Sequence, residues 1–230
     1  MRFRLDAMHE MLSVTVAAAV LCLPIVNYKS RIPEAQAAVR IDTLGVKGSG
    51  VNIGDGLYVT AYHVLSRNFA ANYPAVKITN DKGDITFGFI YAARPEYDIA
   101  VLKMADEHFT KQMFLDCDNL AVGEEVKTIG NPDKFDFLEF DGNISGKKIQ
   151  YGDWKEVYPV AGTIIPGMSG GPMADSTGRL AGINIGVQPL IVEGKDLTYS
   201  NISFAVPSNA ICEMLEGTVS YMRYTVIAAR

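Results

Sequence analysis

One serine of the chain stands among glycines. Residues 166–172 read PGMSGGP, so Ser169 has three glycines within two positions of it. Glycine allows unusual backbone dihedrals, which here would let the N–H groups of Gly167 and Ser169 converge beside the Ser169 hydroxyl. Attack by a serine on a carbonyl needs such a pair of donors, a base that takes the hydroxyl proton and an acid that orients the base. The segment predicts a nucleophile, although an isolated pattern of this kind is as often an ordinary turn.

The histidines all precede Ser169, so the base has to come from upstream. His63 ends the apolar run 59–62, whereas His108 lies in a charged stretch and His9 stands ahead of the N-terminal apolar segment. His63 is therefore the predicted base. This order also excludes the nucleophile elbow of α/β-hydrolases, in which the acid and then the histidine follow the serine, and Pro172 opposes the helix that an elbow needs.

The candidate acid is Asp98, which leads into the apolar run IAVL at 99–102. An aspartate at the head of an apolar strand is unfavourable unless it has a partner, and His63 would supply one. A turn aspartate that caps local N–H groups is the alternative interpretation. Other aspartates nearby lie in polar stretches and are weaker candidates.

Composition limits the class of protein. The 230 residues are 48% hydrophobic and 20% charged, enough for one large core or for two small barrels that share an interface. A net charge of -5 without a basic stretch argues against nucleic acid as a partner. Cys22, Cys117 and Cys212 are far apart and form no metal-binding pattern. We predict lone thiols rather than a disulfide scaffold, and we expect no metal and no organic cofactor.

The N-terminus differs from the rest of the chain. Residues 11–28 carry no charge and follow Arg2 and Arg4, which predicts a signal peptide or membrane anchor within residues 1–37. The sequence AQA at 35–37 offers a cleavage site before Ala38. The apolar run is at the short end for a bilayer, which needs about 20 residues, so cleavage, anchoring and a buried helix all remain open. We expect a protein that is periplasmic, extracellular or membrane-anchored outside the cytoplasm.

From about residue 38 the residue composition of the chain changes. Short runs rich in Val, Ile, Thr, Tyr and Phe alternate with Gly, Asn, Asp and Pro, which predicts an all-β domain over residues 38–230. Two sets of such runs, at about 40–108 and 118–207, predict two barrels. Ser208 as an N-cap and Gly217 as a stop predict a helix at about 208–216.

These residues give the chain a family resemblance. It resembles the trypsin-like (chymotrypsin-fold) serine proteases, and its motifs are most similar to the protease domain of the HtrA/Deg branch without a PDZ domain. The family patterns T-A-x-H, D-I-A-[LV]-L and G-x-S-G-G-P correspond to TAYH at 60–63, DIAVL at 98–102 and GMSGGP at 167–172. Further similar stretches lie at 48–51, 122–132, 178–184 and 203–209. The resemblance covers residues 45–215 and implies two antiparallel six-stranded β-barrels with a short C-terminal helix.

The resemblance also implies an activity. It is that of a serine endopeptidase, a hydrolase that cleaves polypeptides through an acyl-enzyme, with His63, Asp98 and Ser169 as the triad and the N–H groups of Gly167 and Ser169 as the oxyanion hole. Met168 stands where digestive proteases carry an aspartate that pairs with a newly cut N-terminus, so that activation switch is not expected. The chain leaves no room for the PDZ domain usual in HtrA proteins, so PDZ-based peptide sensing is not expected either.

The resemblance places the primary substrate pocket between two segments. The predicted substrate-binding residues are Thr163, Ile164, Ile165, Asn201, Ile202 and Ser203. No carboxylate stands among them, so a pocket for Arg or Lys is not expected, and the isoleucines favour a small or medium apolar substrate side chain unless they belong to the barrel core. A non-catalytic peptide-binding module on the same fold is the alternative function. The sequence does not predict an oligomeric state.

Overall fold

Most of the regular structure in the described part of the chain is β-strand. The computed structural model describes residues 34–190 and 198–217. Residues 1–33, which hold most of the predicted signal peptide or anchor, lie outside the described residues.

The first barrel is formed by six antiparallel strands. They are β1 (Ala38–Thr43), β2 (Val46–Gly54), β3 (Leu57–Ala61), β4 (Ala75–Thr79), β5 (Ile85–Arg94) and β6 (Ile99–Lys103). Their order around the closed barrel is β1-β2-β3-β6-β5-β4. In β1 the fully buried Val39 and Ile41 alternate with the half-buried Arg40 and Asp42, because successive side chains of a strand point to opposite faces.

Short helical segments lie before and between the strands of this barrel. A 3-10 turn at Tyr62–Leu65 follows β3 and continues into the helix α1 (Ser66–Ala71). Another 3-10 turn at Pro95–Tyr97 connects β5 to β6. A third, Glu34–Gln36, precedes β1.

The second barrel is also closed. Its strands are β7 (Glu125–Gly130), β8 (Leu138–Ile144), β9 (Ile149–Tyr151), β10 (Trp154–Ala161), β11 (Pro172–Asp175), β12 (Leu180–Leu190) and β13 (Thr198–Pro207). They pair in the order β13-β12-β11-β7-β8-β10, and β10 pairs back with β13, while β9 is an extra strand beside β10. A helix, α2, follows at residues 209–217. The predicted fold of two six-stranded antiparallel barrels with a short C-terminal helix is confirmed.

One apolar core connects the barrels. It contains Ile99 and Leu102 from the first barrel and Ile183 and Val206 from the second, all buried. A smaller cluster, which includes Tyr158, lies within the second barrel. Because burial of apolar surface is the main force that stabilises a fold, the shared core fixes the position of the groove between the barrels.

A disulfide joins Cys117 to Cys212, with their Cα atoms 6.1 Å apart. The prediction of lone thiols is therefore wrong for these two residues, and Cys22 lies outside the described residues. The start of β12 brings the two cysteines close to each other. Asp116, which precedes Cys117, donates its N–H to Leu180 O, and Ser208, which precedes α2, donates its N–H to Ala181 O. Two cysteines 95 positions apart in sequence are thereby brought together.

No helix within residues 34–190 and 198–217 is long and apolar enough to cross a bilayer.

Candidate active site

The pairing of β3 with β6 brings His63 and Asp98 together. Ala61 lies opposite Ile99 in this pair, so the turn after β3 meets the residue before β6. His63 Nδ1 is 2.6 Å from Asp98 Oδ2, and the backbone N–H of His63 donates to Asp98 Oδ1 at 2.8 Å. Both oxygens of one carboxylate therefore hold the same histidine.

Asp98 is buried, whereas His63 is open to solvent. The exposed fractions of their side chains are 5% and 46%. Asp98 has a φ of 55°, in the left-handed region that aspartate tolerates better than most residues. Its N–H donates to Pro95 O at 2.9 Å, and its carbonyl accepts from Tyr62 N–H at 2.9 Å. This backbone geometry aims the carboxylate at the imidazole ring.

The loop that carries Ser169 rests on the first barrel. Ser169 O accepts a hydrogen bond from Ser49 N–H at 2.8 Å. A Cβ atom on Gly170 would lie 2.2 Å from both Ser49 O and Thr60 Oγ1, and 2.8 Å from Ala61 N. The loop therefore lies against β2 and against the end of β3, two residues before His63. The Ser169 loop and the paired His63 and Asp98 therefore lie on the same side of the first barrel, at its junction with the second.

The Ser169 hydroxyl points to the second barrel. Its Oγ lies 3.4 Å from the carbonyl oxygen of Ile185 on β12. Within the described ranges this is the hydrogen bond that the hydroxyl makes, so it is not bonded to His63. In unliganded sites the hydrogen bonds used in catalysis are often long or poorly aligned and tighten when the substrate binds.

Two backbone N–H groups of the Ser169 loop are not used in the hydrogen bonds that hold the loop. Gly167 has a φ of +99°, and a Cβ atom on it would lie 2.5 Å from Asn131 O, so this position requires glycine. Among the described residues, the N–H groups of Gly167 and Ser169 have no protein acceptor. The neighbouring N–H groups of Met168, Gly170 and Gly171 donate to Ile165 O, Asn184 O and Met168 O. The two donors predicted for the oxyanion hole are therefore the ones that the loop leaves available.

Ser49 is a site residue that the sequence reasoning missed. It is fully buried, and its hydroxyl donates to Gly167 O at 2.8 Å. Ser49 Oγ also accepts hydrogen bonds from Asn131 N at 2.9 Å and from Asn131 Nδ2 at 3.0 Å. A serine between two glycines at 48–50 was the only sequence signal. The Ser49 hydroxyl therefore connects β2 to the loop after β7 and to residues 167–169, the segment predicted to form the oxyanion hole.

β12 supports the serine loop from the other side, and this too was missed. Asn184 is fully buried; its carbonyl accepts from Gly170 N–H at 2.7 Å, and its N–H donates to Gly171 O at 2.9 Å. Its Nδ2 donates to Ile129 O at 3.0 Å. Asn184 precedes Ile185, so β12 both anchors the loop and passes beside the Ser169 hydroxyl.

Met168 anchors the loop by burial. Its side chain is fully buried, and a Cβ atom on Gly130 would lie 2.6 Å from Met168 Cα. The methionine therefore packs closely under the end of β7. At the position where digestive proteases carry the switch aspartate, this chain has a buried apolar side chain.

The six predicted pocket residues fall into two groups. Ile164 and Ser203 are buried, and Ser203 Oγ donates to Gly162 O at 2.8 Å. Side chains exposed to solvent are those of Thr163, Ile165, Asn201 and Ile202. The two segments are neighbours, because Ile202 pairs with Ala161 at the end of β10.

A cavity of about 610 Å³ lies on the first barrel, away from this junction. Gln36, Asp81, Lys82 and His108 are among its lining residues, and none of the triad candidates is. In the described part of the chain, no group of three or more His, Cys, Asp or Glu side chains is placed to hold a metal ion. Neither observation adds a residue to the candidate site.

Comparison with known proteins decides the family. Residues 48–183, more than half of the chain, match the model of the trypsin-like peptidase domain. The chain belongs to this family. The predicted resemblance to trypsin-like serine proteases is therefore confirmed.

Relatives of this trypsin-like peptidase include HtrA and DegP-like proteases. It is 32% identical over 169 residues to the magnetosome formation protease MamE of Magnetospirillum gryphiswaldense, which covers 70% of this chain and 21% of the relative. It is 28% identical over 179 residues to a probable periplasmic serine endoprotease, DegP-like, of Chlamydia trachomatis, with coverages of 76% and 34%. The solved structure of the HtrA-type protease AlgW with a tripeptide has a TM-score of 0.68 and 25% identity, and covers 81% of this chain and 61% of that one. The chain thus spans about a fifth and about a third of the length of these two curated relatives.

Proposed function

We propose that this chain is a serine endopeptidase in which Ser169 is the nucleophile, His63 the general base and Asp98 the residue that orients His63. The observation that carries the proposal is the double hydrogen bond from His63 to a buried Asp98 carboxylate, beside the loop that holds Ser169. Membership of the trypsin-like peptidase family supports it, and the similar proteins are named as proteases.

The proposed mechanism gives each proton transfer to a named residue. His63 Nδ1–H donates to Asp98, which leaves Nε2 as the basic nitrogen. The Ser169 hydroxyl turns from Ile185 O to His63, and its proton moves to Nε2 as Oγ bonds to the substrate carbonyl carbon. His63 then protonates the leaving amine, and a water molecule hydrolyses the acyl-enzyme with His63 again as base. Asp98 stays ionised and stabilises the imidazolium.

Charge that develops on the substrate oxygen needs donors that are already in place. The N–H groups of Gly167 and Ser169 fit this role, because the described residues offer them no acceptor. Ser49 holds the carbonyl of Gly167 at 2.8 Å, which keeps the peptide plane after Gly167 from turning.

We propose that the substrates are polypeptides cleaved after small or medium apolar residues. All six predicted pocket residues are uncharged, and Ile165 and Ile202 are 38% and 46% exposed. Ile164 is only 2% exposed, which assigns it to the packing behind the pocket. A peptide library in which Arg or Glu is preferred at the cleaved bond would contradict this preference.

A fluorophosphonate probe tests the activity. We expect it to label the wild type but not Ser169→Ala, and peptide hydrolysis to fall by a factor on the order of 10⁶ in that variant. Ser176→Ala is the control, because Ser176 is exposed in the turn after β11 and should be labelled like the wild type. Proteolysis by Ser169→Ala above the background would refute the assignment.

The position of the Ser169 hydroxyl favours a second candidate, a peptide-binding module without catalysis. Its bond to Ile185 O is what a permanently inactive serine would show. In that case the wild type would bind peptides in the groove, and the probe would not label it.

We propose an exported location, in keeping with the periplasmic description of the DegP-like relative. N-terminal sequencing of the protein from the cell envelope distinguishes a chain with a cleaved signal peptide from a chain held by an intact anchor. A chain that starts at Ala38 would show cleavage of the leader, and an intact N-terminus would show anchoring.

A further inference from the structure

Four large side chains form a row on the outer surface of the first barrel. Ile85, Phe87, Phe89 and Tyr91 occupy every second position of β5, and their exposed fractions are 57, 56, 55 and 41%. Alternate residues of a strand share one face, so Ile85, Phe87 and Phe89 form a continuous row, and the exposed Tyr91 follows at a β-bulge between Ile90 and Ala92. We refer to these four residues as the β5 stripe. Contiguous exposed apolar surface is rare on soluble proteins unless something binds it.

The stripe points away from the catalytic groove. In the closed order β1-β2-β3-β6-β5-β4, strand β5 lies diametrically opposite β2. β2 carries Ser49, which binds the Ser169 loop. Whatever contacts the stripe therefore leaves the groove between the barrels open.

Lysines border the stripe on both sides. Phe87 pairs with Lys77 on β4, and Phe89 pairs with Lys103 on β6. Directly paired residues of antiparallel strands project from the same face. The Lys103 ammonium donates to Asp55 O in the neighbouring β2–β3 turn. Aromatic rings with lysine side chains beside them fit the interface of a bilayer, where rings lie at the level of the headgroups and lysines can reach the phosphates.

The β4–β5 turn limits how far this positive charge extends. It holds Asp81 and Asp84 as well as Lys82, so the turn itself is not basic. The lysines stand beside the two phenylalanines only, and contact with lipid would therefore depend more on the rings than on net charge.

The chain enters the first barrel at the end where the stripe begins. Gln36 lines the same cavity as Asp81 and Lys82 of the β4–β5 turn, and Ile85 follows that turn. The uncharged run 11–28 ends six residues before Glu34, where the described part begins. The predicted anchor is therefore joined in sequence to the end of the barrel at which the stripe begins.

We propose that the β5 stripe lies on the surface of a lipid bilayer, with the substrate groove turned away from the lipid. A second copy of the chain fits the stripe less well. Two such faces in contact would bring Lys77 and Lys103 of both copies into one desolvated interface, and unpaired buried charges are strongly unfavourable.

Tryptophan quenching tests this contact in the full chain. Phe87→Trp places a reporter in the stripe, and Phe135→Trp places one at a comparably exposed position, 55%, in the second barrel. Each variant is mixed with vesicles of phosphatidylcholine and phosphatidylglycerol, with and without bromine on the acyl chains. The emission of the wild type, which has a single tryptophan, is subtracted.

We expect the brominated vesicles to quench most of the added emission of Phe87→Trp and little of that of Phe135→Trp. Because a reporter within the stripe is measured, attachment through residues 11–28 alone would not produce this difference. Equal quenching of both variants, or none at position 87, would overturn the proposal. So would a blue-shifted Phe87→Trp emission in lipid-free buffer together with a doubled molecular mass, which would assign the stripe to a second copy.

Discussion

The hydroxyl oxygen of Ser49 lies 2.8 Å from the carbonyl oxygen of Gly167, so a side chain of the first barrel holds the segment of the second that carries the candidate oxyanion hole. Ser49 also accepts two hydrogen bonds from Asn131. The buried hydroxyl therefore uses its donor and its acceptor capacity at once, and the geometry of the candidate oxyanion hole depends on the contact between the barrels.

Replacement of Ser49 by alanine should lower kcat more than it raises KM. It removes the bond to Gly167 O and leaves two buried N–H groups of Asn131 without their acceptor. A buried donor without a partner costs about 1–3 kcal/mol, and we expect kcat to fall about tenfold to a hundredfold if that free energy is lost in the transition state. Steady-state kinetics on a peptide substrate measures both constants.

Ser176→Ala controls for loss of a serine hydroxyl elsewhere in the fold. An unchanged kcat in Ser49→Ala, together with a lower melting temperature, would show that Ser49 stabilises the fold without positioning the loop.

Asp98→Asn should inactivate the protein without unfolding it. Asparagine keeps the size of the side chain and tolerates the φ of 55° at this position, but its amide would favour the wrong tautomer of His63. From the serine-protease template we expect kcat to fall by a factor on the order of 10⁴. Circular dichroism should show the wild-type fold, and a variant that retains wild-type turnover would exclude Asp98 as the orienting acid.

The disulfide should contribute strongly to stability. A bridge between residues 95 positions apart restricts the unfolded chain, and removal of such a bridge lowers the free energy of unfolding by about 2–4 kcal/mol. We expect that loss in Cys117→Ser, measured by chemical denaturation, and a Cys117–Cys212 peptide in non-reducing mass spectra. Cys22→Ser should leave that peptide unchanged, and two free thiols at 117 and 212 would contradict the bridge.

Chain order and strand context were enough for the sequence to select the triad candidates. Of the three histidines, His63 follows an apolar strand, and Asp98 directly precedes β6, which pairs with that strand, so a local pattern carried information on the contact of His63 with Asp98. The barrels were predicted from short runs of strand-forming residues separated by turn residues.

The contacts that depend on barrel closure were not predicted. Ser49 and Gly167 are far apart in sequence, and only the packing of one barrel on the other makes Ser49 Oγ a partner of that carbonyl. The disulfide was missed for the same reason, because pairing with β12 sets its geometry. On β5 the alternating pattern does not tell which face is outside, so the exposed Phe87 and Phe89 could not be distinguished from core residues.

Asp136 should make stability depend on pH. Burial alone would raise its pKa, but hydrogen bonds and charges from Lys47 and Arg40 outweigh burial and hold the pKa below its usual value. A carboxylate whose pKa is lower in the folded state stabilises the fold above its unfolded pKa, about 3.9, and loses this contribution as the pH falls through the folded pKa.

We therefore expect Asp136→Asn to be less stable than the wild type at neutral pH, by no more than about 1 kcal/mol because the pairs are partly exposed. The difference should shrink below pH 4 and in high salt. Urea denaturation at several pH values measures it, and a difference that does not change with pH would contradict the role of this charge.

Alanine substitution of two glycines with similar φ values separates the effect of backbone strain from that of a steric clash. Gly170 and Gly123 have φ values of +86° and +95°, so an alanine at either position is strained by about 1–2 kcal/mol. A Cβ atom on Gly123 meets nothing within 4 Å, whereas one on Gly170 would lie 2.2 Å from Ser49 O and from Thr60 Oγ1. We expect Gly123→Ala to stay active, with only that loss of stability. Gly170→Ala should push the Ser169 loop off the first barrel and abolish probe labelling. If the two variants have equal activity and unfolding free energy, the loop does not depend on its contact with β2 and β3.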